Sequence, residues 1–165
     1  MTTMTELTIA AATDADAAEL SVLTRACWVQ EAIANETFDI PALSEPLDQV
    51  RSDIASWDTY VVREGPRLVA SVRGRLVIGP EGDGVWEIGR LMVAPDRQGA
   101  GLGRRLLQHI EAAAPPEARS FALFTGVRSF RNQEIYQAAG FALRPDLPAP
   151  PAAIMLTKAR PAATR

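Results

Sequence analysis

One stretch decides the fold of this chain: residues 93–107, VAPDRQGAGLGRRLL. An apolar run ends in it at Pro95, glycines alternate at Gly99, Gly101 and Gly103, and an amphipathic run follows without a helix breaker up to Pro115. Glycine allows a sharp turn and a close approach to a ligand. A helix N-terminus offers free N–H groups and a partial positive charge. The stretch therefore predicts a strand, a tight turn and a helix whose N-terminus binds a phosphate group.

Two common nucleotide-binding loops do not fit this spacing. A Walker A loop needs Gly-Lys-Ser/Thr after four spacer residues, but Gly103 is followed by Arg104 and Arg105, with no hydroxyl to bind magnesium. A dinucleotide fingerprint needs G-x-G-x-x-G after the first strand of a doubly wound sheet. Here the third glycine comes one residue early, and mostly strand-like sequence precedes it.

The pattern Gln98-x-x-Gly101-x-Gly103 instead resembles the Q/R-x-x-G-x-G/A signature of the GNAT superfamily of N-acetyltransferases. The resemblance implies that this turn holds the pyrophosphate of acetyl-CoA, while the preceding strand bonds the pantetheine arm with free backbone groups. The implied cofactor-binding residues are Leu91, Met92, Val93, Gln98, Gly99, Ala100, Gly101, Leu102, Gly103 and Arg104.

Composition sets limits on the function. The 165 residues suit one domain, and a formal charge of −3 gives no reason to expect a nucleic-acid or membrane partner. We expect no membrane span and no signal peptide, because no apolar run is long enough for a span and residues 1–8 lack a basic start. A single cysteine and a single histidine predict no disulfide and no metal site. A cytoplasmic location is the resulting expectation.

The order of elements gives the fold class. Strands are predicted at residues 7–11, 59–63, 68–78, 85–94, 120–125, 141–144 and 153–158, with helices at 14–32, 46–56, 102–114 and 132–139. We expect residues 35–46 to form a loop, and residues 1–5 and 159–165 to be frayed ends of a single domain spanning residues 1–165. This α/β order with a mixed sheet, β-α-α-β-β-β-α-β-α-β-β, is similar to that of the GNAT, or acyl-CoA N-acyltransferase, fold.

A second motif lies downstream. Asn132, Tyr136, Gly140 and Phe141 resemble the N-x-x-x-Y-x-x-x-G-F/Y box of the same superfamily. The resemblance implies that the Tyr136 hydroxyl protonates the leaving thiolate and that Asn132 bonds the pantetheine arm. The alternative is that Tyr136 is a half-buried packing residue.

The run TGVRSFRN at residues 125–132 resembles a bacterial subset of GNAT proteins whose substrate is undefined. On one hypothesis, Arg128 and Arg131 reach the 3′-phosphate of CoA or an acidic acceptor. On the other, they are solvated loop charges.

Amine acetylation also needs a base and an oxyanion donor. The resemblance implies Glu87 as the base, in the strand before the glycine turn. Strict alternation along that strand puts Glu87 on the same face as Leu91 and Val93. The alternative is an ion pair with Arg73 or Arg75 on the neighbouring strand. A backbone N–H near Met92 or Val93 is the expected oxyanion donor.

The acceptor site is expected at the first helix. Trp28, Glu31 and Asn35 form one helical stripe, and the acidic Glu31 or Glu45 suits a cationic amine. On the alternative hypothesis, Trp28 is a core residue, and Glu31 and Glu45 are surface carboxylates. Cys27 has no neighbouring base in the sequence and is not expected to act as a nucleophile.

These features together predict an acetyl-CoA-dependent N-acetyltransferase. It moves an acetyl group to a primary amine of a small molecule or protein by direct attack in a ternary complex. Two alternatives stay open: a non-catalytic, regulatory GNAT module that binds acyl-CoA, and a nucleotide-binding α/β protein. The expected partners are acetyl-CoA and an amine acceptor, and the resemblance adds a possible homodimer.

Overall fold

The computed structural model describes residues 7–163, which form seven β-strands and five α-helices. The strands are β1 (Leu7–Ala11), β2 (Asp58–Glu64), β3 (Arg67–Ile78), β4 (Gly84–Val93), β5 (Ala118–Gly126), β6 (Ala142–Arg144) and β7 (Ala153–Ala159). The helices are α1 (Ala17–Asn35), α2 (Pro41–Ser44), α3 (Leu47–Ser56), α4 (Leu102–Ala112) and α5 (Phe130–Ala138).

The strands form one mixed sheet in the order β1-β2-β3-β4-β5-β7-β6. Strands β4 and β5 are parallel, and the other neighbours are antiparallel. A parallel pair needs a crossover connection, which α4 supplies. The predicted α/β class with a mixed sheet is confirmed, as is the predicted order of its elements apart from the short α2.

Helices cover both faces of the sheet, and each face has its own core. The apolar stripe of α4, including Leu106 and Ile110, packs with Trp86 against one face. Helices α1 and α3 bury Leu20, Leu23 and Val50 against the other. No helix in the described part of the chain is both long and apolar enough to cross a membrane.

The start and end of α1 differ from the prediction. Residues Asp14–Asp16 form a 3₁₀ turn, because the Asp16 carboxylate accepts a hydrogen bond from the Thr13 N–H at 2.8 Å, and α1 follows from Ala17. The helix then continues to Asn35 and ends where Glu36 takes a left-handed conformation, with φ of 52°. The predicted loop at 35–46 contains the single turn of α2, which begins at Pro41.

The predicted frayed C-terminal end is wrong for its first residues. Ala159 belongs to β7 and pairs with Ser120, and the Arg160 N–H donates to the Arg119 carbonyl at 2.9 Å. The Arg160 guanidinium also donates to the carbonyls of Ala114 and Pro115, between α4 and β5, and of Ala118 at the start of β5. The N-terminal residues predicted to fray, 1–5, lie outside the described part of the chain.

Candidate active site

A cleft of about 880 Å³ lies beside the glycine turn, between the C-terminal part of α1, the end of β4 and the start of α5. The predicted cofactor-binding residues that line it are Leu91, Val93, Gln98, Gly99, Gly101, Leu102, Gly103, Arg104 and Asn132, together with Tyr136. A cleft of this volume accommodates a cofactor-sized ligand. The structure thus brings the two sequence motifs to one site.

Two predicted cofactor-binding residues do not line the cleft. The Met92 side chain is buried in the core beneath α1 and α3, on the side of β4 that faces away from the cleft. Ala100 is exposed at the tip of the turn. Met92 alternates along β4 with Leu91 and Val93, which do line the cleft.

The glycine turn has the geometry of an anion-binding helix start. Gly99 and Gly101 have φ of 87° and 81°, and Gly101 is the N-cap of α4. Only glycine adopts such angles without strain. The first N–H groups of a helix have no partner inside it, and the residues that carry them here, Leu102, Gly103 and Arg104, line the cleft. Gln98 fixes the entry to the turn by donating to the Val93 carbonyl at 3.2 Å.

The parallel strands β4 and β5 separate beside the cleft. Their pairing runs from Gly84 and Ala118 to Glu87 and Ala122, and no further pairs join them in the described chain, residues 7–163. The backbone edge of β4 around Leu91 and Val93 is therefore free of strand partners on the β5 side. Unpaired backbone groups of this kind can bond an extended ligand arm.

A bulge at Arg90 changes which residues face the cleft. Arg90 has φ of 51°, and the register between β3 and β4 shifts there. Gly89 and Arg90 consequently lie on the same face, toward Trp57 and Glu45 respectively. A bulge adds one residue and reverses the alternation beyond it.

The predicted placement of Glu87 is corrected by this bulge. Glu87 shares the α1/α3 face with Gly89 and lies on the face opposite to Leu91 and Val93, because the alternation assumed in the sequence is interrupted at Arg90. Its carboxylate is paired with the guanidinium of Arg75, with the closest contact at 3.1 Å, and it does not line the cleft. The ion pair is the alternative that the sequence had left open.

Tyr136 lies at the cleft with only 9% of its surface exposed. Its ring packs edge-on against Phe141, with the ring centroids 6.2 Å apart. Burial, and to a lesser extent the Glu31 carboxylate, raises the pKa of the Tyr136 hydroxyl above its usual value. The hydroxyl therefore keeps its proton at neutral pH, which suits a proton donor.

A hydrogen-bond network joins α1 to the start of α5. Glu31 accepts from the Ser129 hydroxyl and from the Asn132 amide, the latter at 2.9 Å. Asn35 donates to the Ser129 hydroxyl at 3.0 Å and accepts from the Arg128 N–H at 3.1 Å. Of the predicted acceptor residues, Glu31 therefore lines the cleft, and Asn35 holds the loop before α5.

The sequence did not single out Ser129 or Gly126 in this network. Both lie in the run at residues 125–132, where the functional hypothesis concerned only Arg128 and Arg131. A Cβ at Gly126 would lie 2.5 Å from the Asn35 amide atoms and 2.6 Å from the Ser129 Oγ. The glycine is needed because the Asn35 side chain packs directly on the backbone.

We expect Gly126→Ala to destabilise the protein by about 1–3 kcal/mol, because the added methyl group displaces Asn35 or Ser129 from the network. Urea unfolding monitored by circular dichroism measures the effect.

Gly103→Ala is the matched control. A Cβ there lies 3.7 Å from Val93 Cγ2, an ordinary contact, and the position is in the first turn of α4. This variant should be as stable as the wild type or more stable by up to about 1 kcal/mol. Equal unfolding midpoints for Gly126→Ala and the wild type would contradict the packing described here.

Trp28, the third predicted acceptor residue, is outside the cleft. It packs against the α1/α3 core, and the Arg90 guanidinium lies 5.3 Å from its ring centroid. Arg90 in turn is paired with Glu45 at 2.8 Å. Trp28, Glu31 and Asn35 thus do not form one acceptor site, because each makes a different contact. Glu45 is paired with Arg90 of the protein itself.

Cys27 is buried, and its thiol donates to the Val93 carbonyl at 3.3 Å. Burial raises the pKa of this thiol to about 11. Because the thiolate is the nucleophilic form, the expectation that Cys27 is not a nucleophile agrees with its surroundings.

Cations surround the mouth of the cleft. Arg97 and Arg128 line it but are paired with Glu64 and Glu36. Arg104 and Arg131 also line it and form no ion pair with any residue between Leu7 and Ala163. These two side chains are available to a phosphate group of a ligand.

Comparison with known proteins agrees with this geometry. The model of the acetyltransferase (GNAT) family matches residues 25–141. The PaiA N-acetyltransferase of Thermoplasma acidophilum, solved with coenzyme A, is similar at a TM-score of 0.77 and 12% identity, over 94% of this chain and 99% of that one.

Two further structures share the fold. An acetyltransferase of Thermus thermophilus has a TM-score of 0.69 and 20% identity, covering 95% of this chain and 99% of that one. The yncA protein of Salmonella typhimurium, solved with acetyl-CoA, has a TM-score of 0.69 and 16% identity, covering 96% of both chains. With the family model matching most of the chain, this protein belongs to the GNAT family of acetyltransferases.

Proposed function

We propose that this N-acetyltransferase uses acetyl-CoA to acetylate a primary amine by direct attack within a ternary complex. One observation carries the proposal: a single cleft joins a glycine-capped helix start to a buried tyrosine hydroxyl, beside an unpaired strand edge. A phosphate seat, a groove for an extended arm and a proton donor are the parts that a thioester of CoA needs.

The pyrophosphate is placed at the N–H groups of residues 101–104, where the helix dipole favours negative charge. Arg104 and Arg131, which line the cleft and form no ion pair within residues 7–163, are assigned to the 3′-phosphate. The pantetheine arm lies along Leu91 and Val93 and extends toward Tyr136. Asn132 contributes its amide oxygen and its second amide N–H, because the first N–H donates to Glu31.

The oxyanion donor is assigned to the Val93 N–H. The Ala94 N–H donates to the Val69 carbonyl of β3 at 2.8 Å. Successive N–H groups on a strand point to opposite sides, so the Val93 N–H points away from β3, toward the free edge. By the same alternation the Met92 N–H, the other donor expected from the sequence, points toward β3 and not toward the free edge.

In the reaction, the neutral amine attacks the thioester carbonyl, the C–N bond forms and the C–S bond breaks. Tyr136 gives its proton to the departing thiolate, and the proton of the amine passes to a base. An amine with a pKa of about 10.4 is about one part in a thousand neutral at pH 7, so a base increases the rate.

Glu87 is proposed as that base although it is paired with Arg75 and does not line the cleft, so it would act through water from the α1/α3 face. We expect Glu87→Gln to lower kcat about 100-fold at pH 7, with a smaller loss at pH 9, where more of the amine is neutral. Steady-state rates against pH measure this.

Arg75→Gln is the control, since it removes the ion pair but keeps the carboxylate. Its kcat should stay within about threefold of the wild type. If both variants lose activity equally, the ion pair supports the structure and Glu87 is not the base.

Thiol release from acetyl-CoA over a panel of amines tests the function itself. Amine-dependent release with formation of the amide supports the enzyme. Tight CoA binding without release for any amine would favour the non-catalytic module, and tighter binding of NAD or ATP than of CoA would favour a nucleotide-binding protein.

A further inference from the structure

A second cavity lies on the other face of β4 from the cleft, beneath α1 and α3. Its polar lining includes Glu45, Asp53, Thr59, Arg73 and Arg90, and we call it the polar pocket. Its volume is about 30 Å³, roughly that of one water molecule. It adjoins the segment of β4 whose other side faces the cleft.

Four charged side chains are largely buried around the polar pocket. Arg73 pairs with Asp53 and Arg90 pairs with Glu45, each at 2.8 Å, and all four side chains are between 12% and 17% exposed. Buried ion pairs contribute little to stability, because the loss of hydration offsets their attraction. The clustering of these four charges beside the segment of β4 that borders the cleft therefore indicates that they bind a ligand.

Two polar atoms in the polar pocket have no partner. Arg73 Nε and Thr59 Oγ1 are shielded from solvent and make no hydrogen bond within residues 7–163. The two residues are directly opposite each other on β3 and β2. A buried unpaired donor costs free energy, and an oxygen that accepts from both atoms would remove the cost.

The polar pocket also holds two guanidinium groups close together. Burial and the nearby Arg90 cation both lower the pKa of Arg73. The backbone of Arg90 has φ of 51°. A non-glycine residue adopts this conformation at a cost in free energy, and such residues cluster at functional sites. Two adjacent guanidiniums favour an anion with two oxygens, such as a carboxylate.

We propose that the polar pocket binds a carboxylate of the acceptor, so that the substrate is a small amine that also carries a carboxylate. The inference rests on the proposed acetyl transfer. The acceptor's carboxylate takes the place of Glu45 on Arg90 and accepts from Arg73 Nε and the Thr59 hydroxyl. Glu45 lies in the connection between α2 and α3 and not in the sheet, so its displacement enlarges the polar pocket without breaking strand pairing.

Matched acceptors test the proposal. A panel of amino acids is compared with the corresponding amino amides, in which a neutral carboxamide of similar shape replaces the carboxylate. We expect kcat/KM to be at least tenfold higher for the preferred acid than for its amide. In Thr59→Val the preference should fall by threefold or more, through the KM of the acid, while the KM of acetyl-CoA stays within twofold.

Arg73→Gln should remove the preference altogether. Because it also leaves Asp53 unpaired, Arg63→Gln serves as the control: it breaks a comparable pair with Asp16, at 2.6 Å, outside the polar pocket and should keep the preference. If Arg73→Gln does not fold, Thr59→Val decides, since it touches no ion pair.

The outcomes separate the two proposals. Equal rates for acids and amides, or a preference that is unchanged in Thr59→Val, would overturn the carboxylate site and leave acetyl transfer intact. If no amine is acetylated although CoA binds, the proposed function fails and the carboxylate site fails with it.

Discussion

Tyr136→Phe is expected to lower kcat by about 100-fold or more while the KM for acetyl-CoA stays within about twofold. The hydroxyl is the only group removed, and it is the one assigned to protonate the departing thiolate. Because burial raises its pKa, the wild-type tyrosine keeps its proton across the neutral range and is ready to donate. The loss should therefore be constant between pH 6 and about pH 9, as measured by thiol release.

Tyr60→Phe is the matched control. Tyr60 is the other tyrosine in the chain, and its ring packs edge-on against His109 with the ring centroids 4.5 Å apart. This variant should keep the wild-type rate. The alternative in which Tyr136 only fills space predicts instead that Tyr136→Phe retains its activity, since phenylalanine preserves the ring and its contact with Phe141.

Gly101→Glu is expected to weaken CoA binding by at least about 100-fold. The new carboxylate lies at the N-cap of α4, where the pyrophosphate is placed, and at about 5 Å and an effective dielectric of 20 each like charge costs about 3 kcal/mol. No atom lies within 4 Å of a Cβ built at Gly101, so the fold has room for the side chain. Isothermal titration with CoA measures the loss.

Gly101→Asn separates charge from backbone strain. Asparagine tolerates the left-handed conformation that Gly101 adopts, with φ of 81°, and adds no charge. Its affinity for CoA should stay within about tenfold of the wild type. Wild-type affinity in Gly101→Glu would place the pyrophosphate elsewhere and remove the basis for the cleft assignment.

The parts of this structure that local sequence determines were predictable. The glycine turn, the amphipathic stripe of α4 and the tyrosine four residues after Asn132 are local patterns, and the structure brings them to one cleft. The order of strands and helices likewise came from periodicity and turn residues. Element ends were less predictable: α1 shifts because Asp16 caps a 3₁₀ turn and Glu36 supplies the left-handed end.

The features that depend on distant contacts were not predictable in the same way. The bulge at Arg90 is marked in the sequence of β4 by little more than the neighbouring Gly89. Strict alternation through it puts Glu87 on the face of Leu91, whereas the structure puts Glu87 on the opposite face. The need for Gly126 becomes visible only when Asn35, far away in the sequence, is packed against it. The polar pocket unites residues from two helices, a connecting segment and three strands, so nothing in the sequence indicated that Glu45, Arg73 and Arg90 lie buried together.

The most direct test is the structure of the protein crystallised with CoA. We predict the pyrophosphate within hydrogen-bond distance of the N–H groups of residues 101–104, and the CoA sulfur within reach of the Tyr136 hydroxyl. Pantetheine should lie along the free edge of β4 at Leu91 and Val93. CoA bound elsewhere, or with its sulfur remote from Tyr136, would contradict the assignment of this cleft as the acetyl-transfer site.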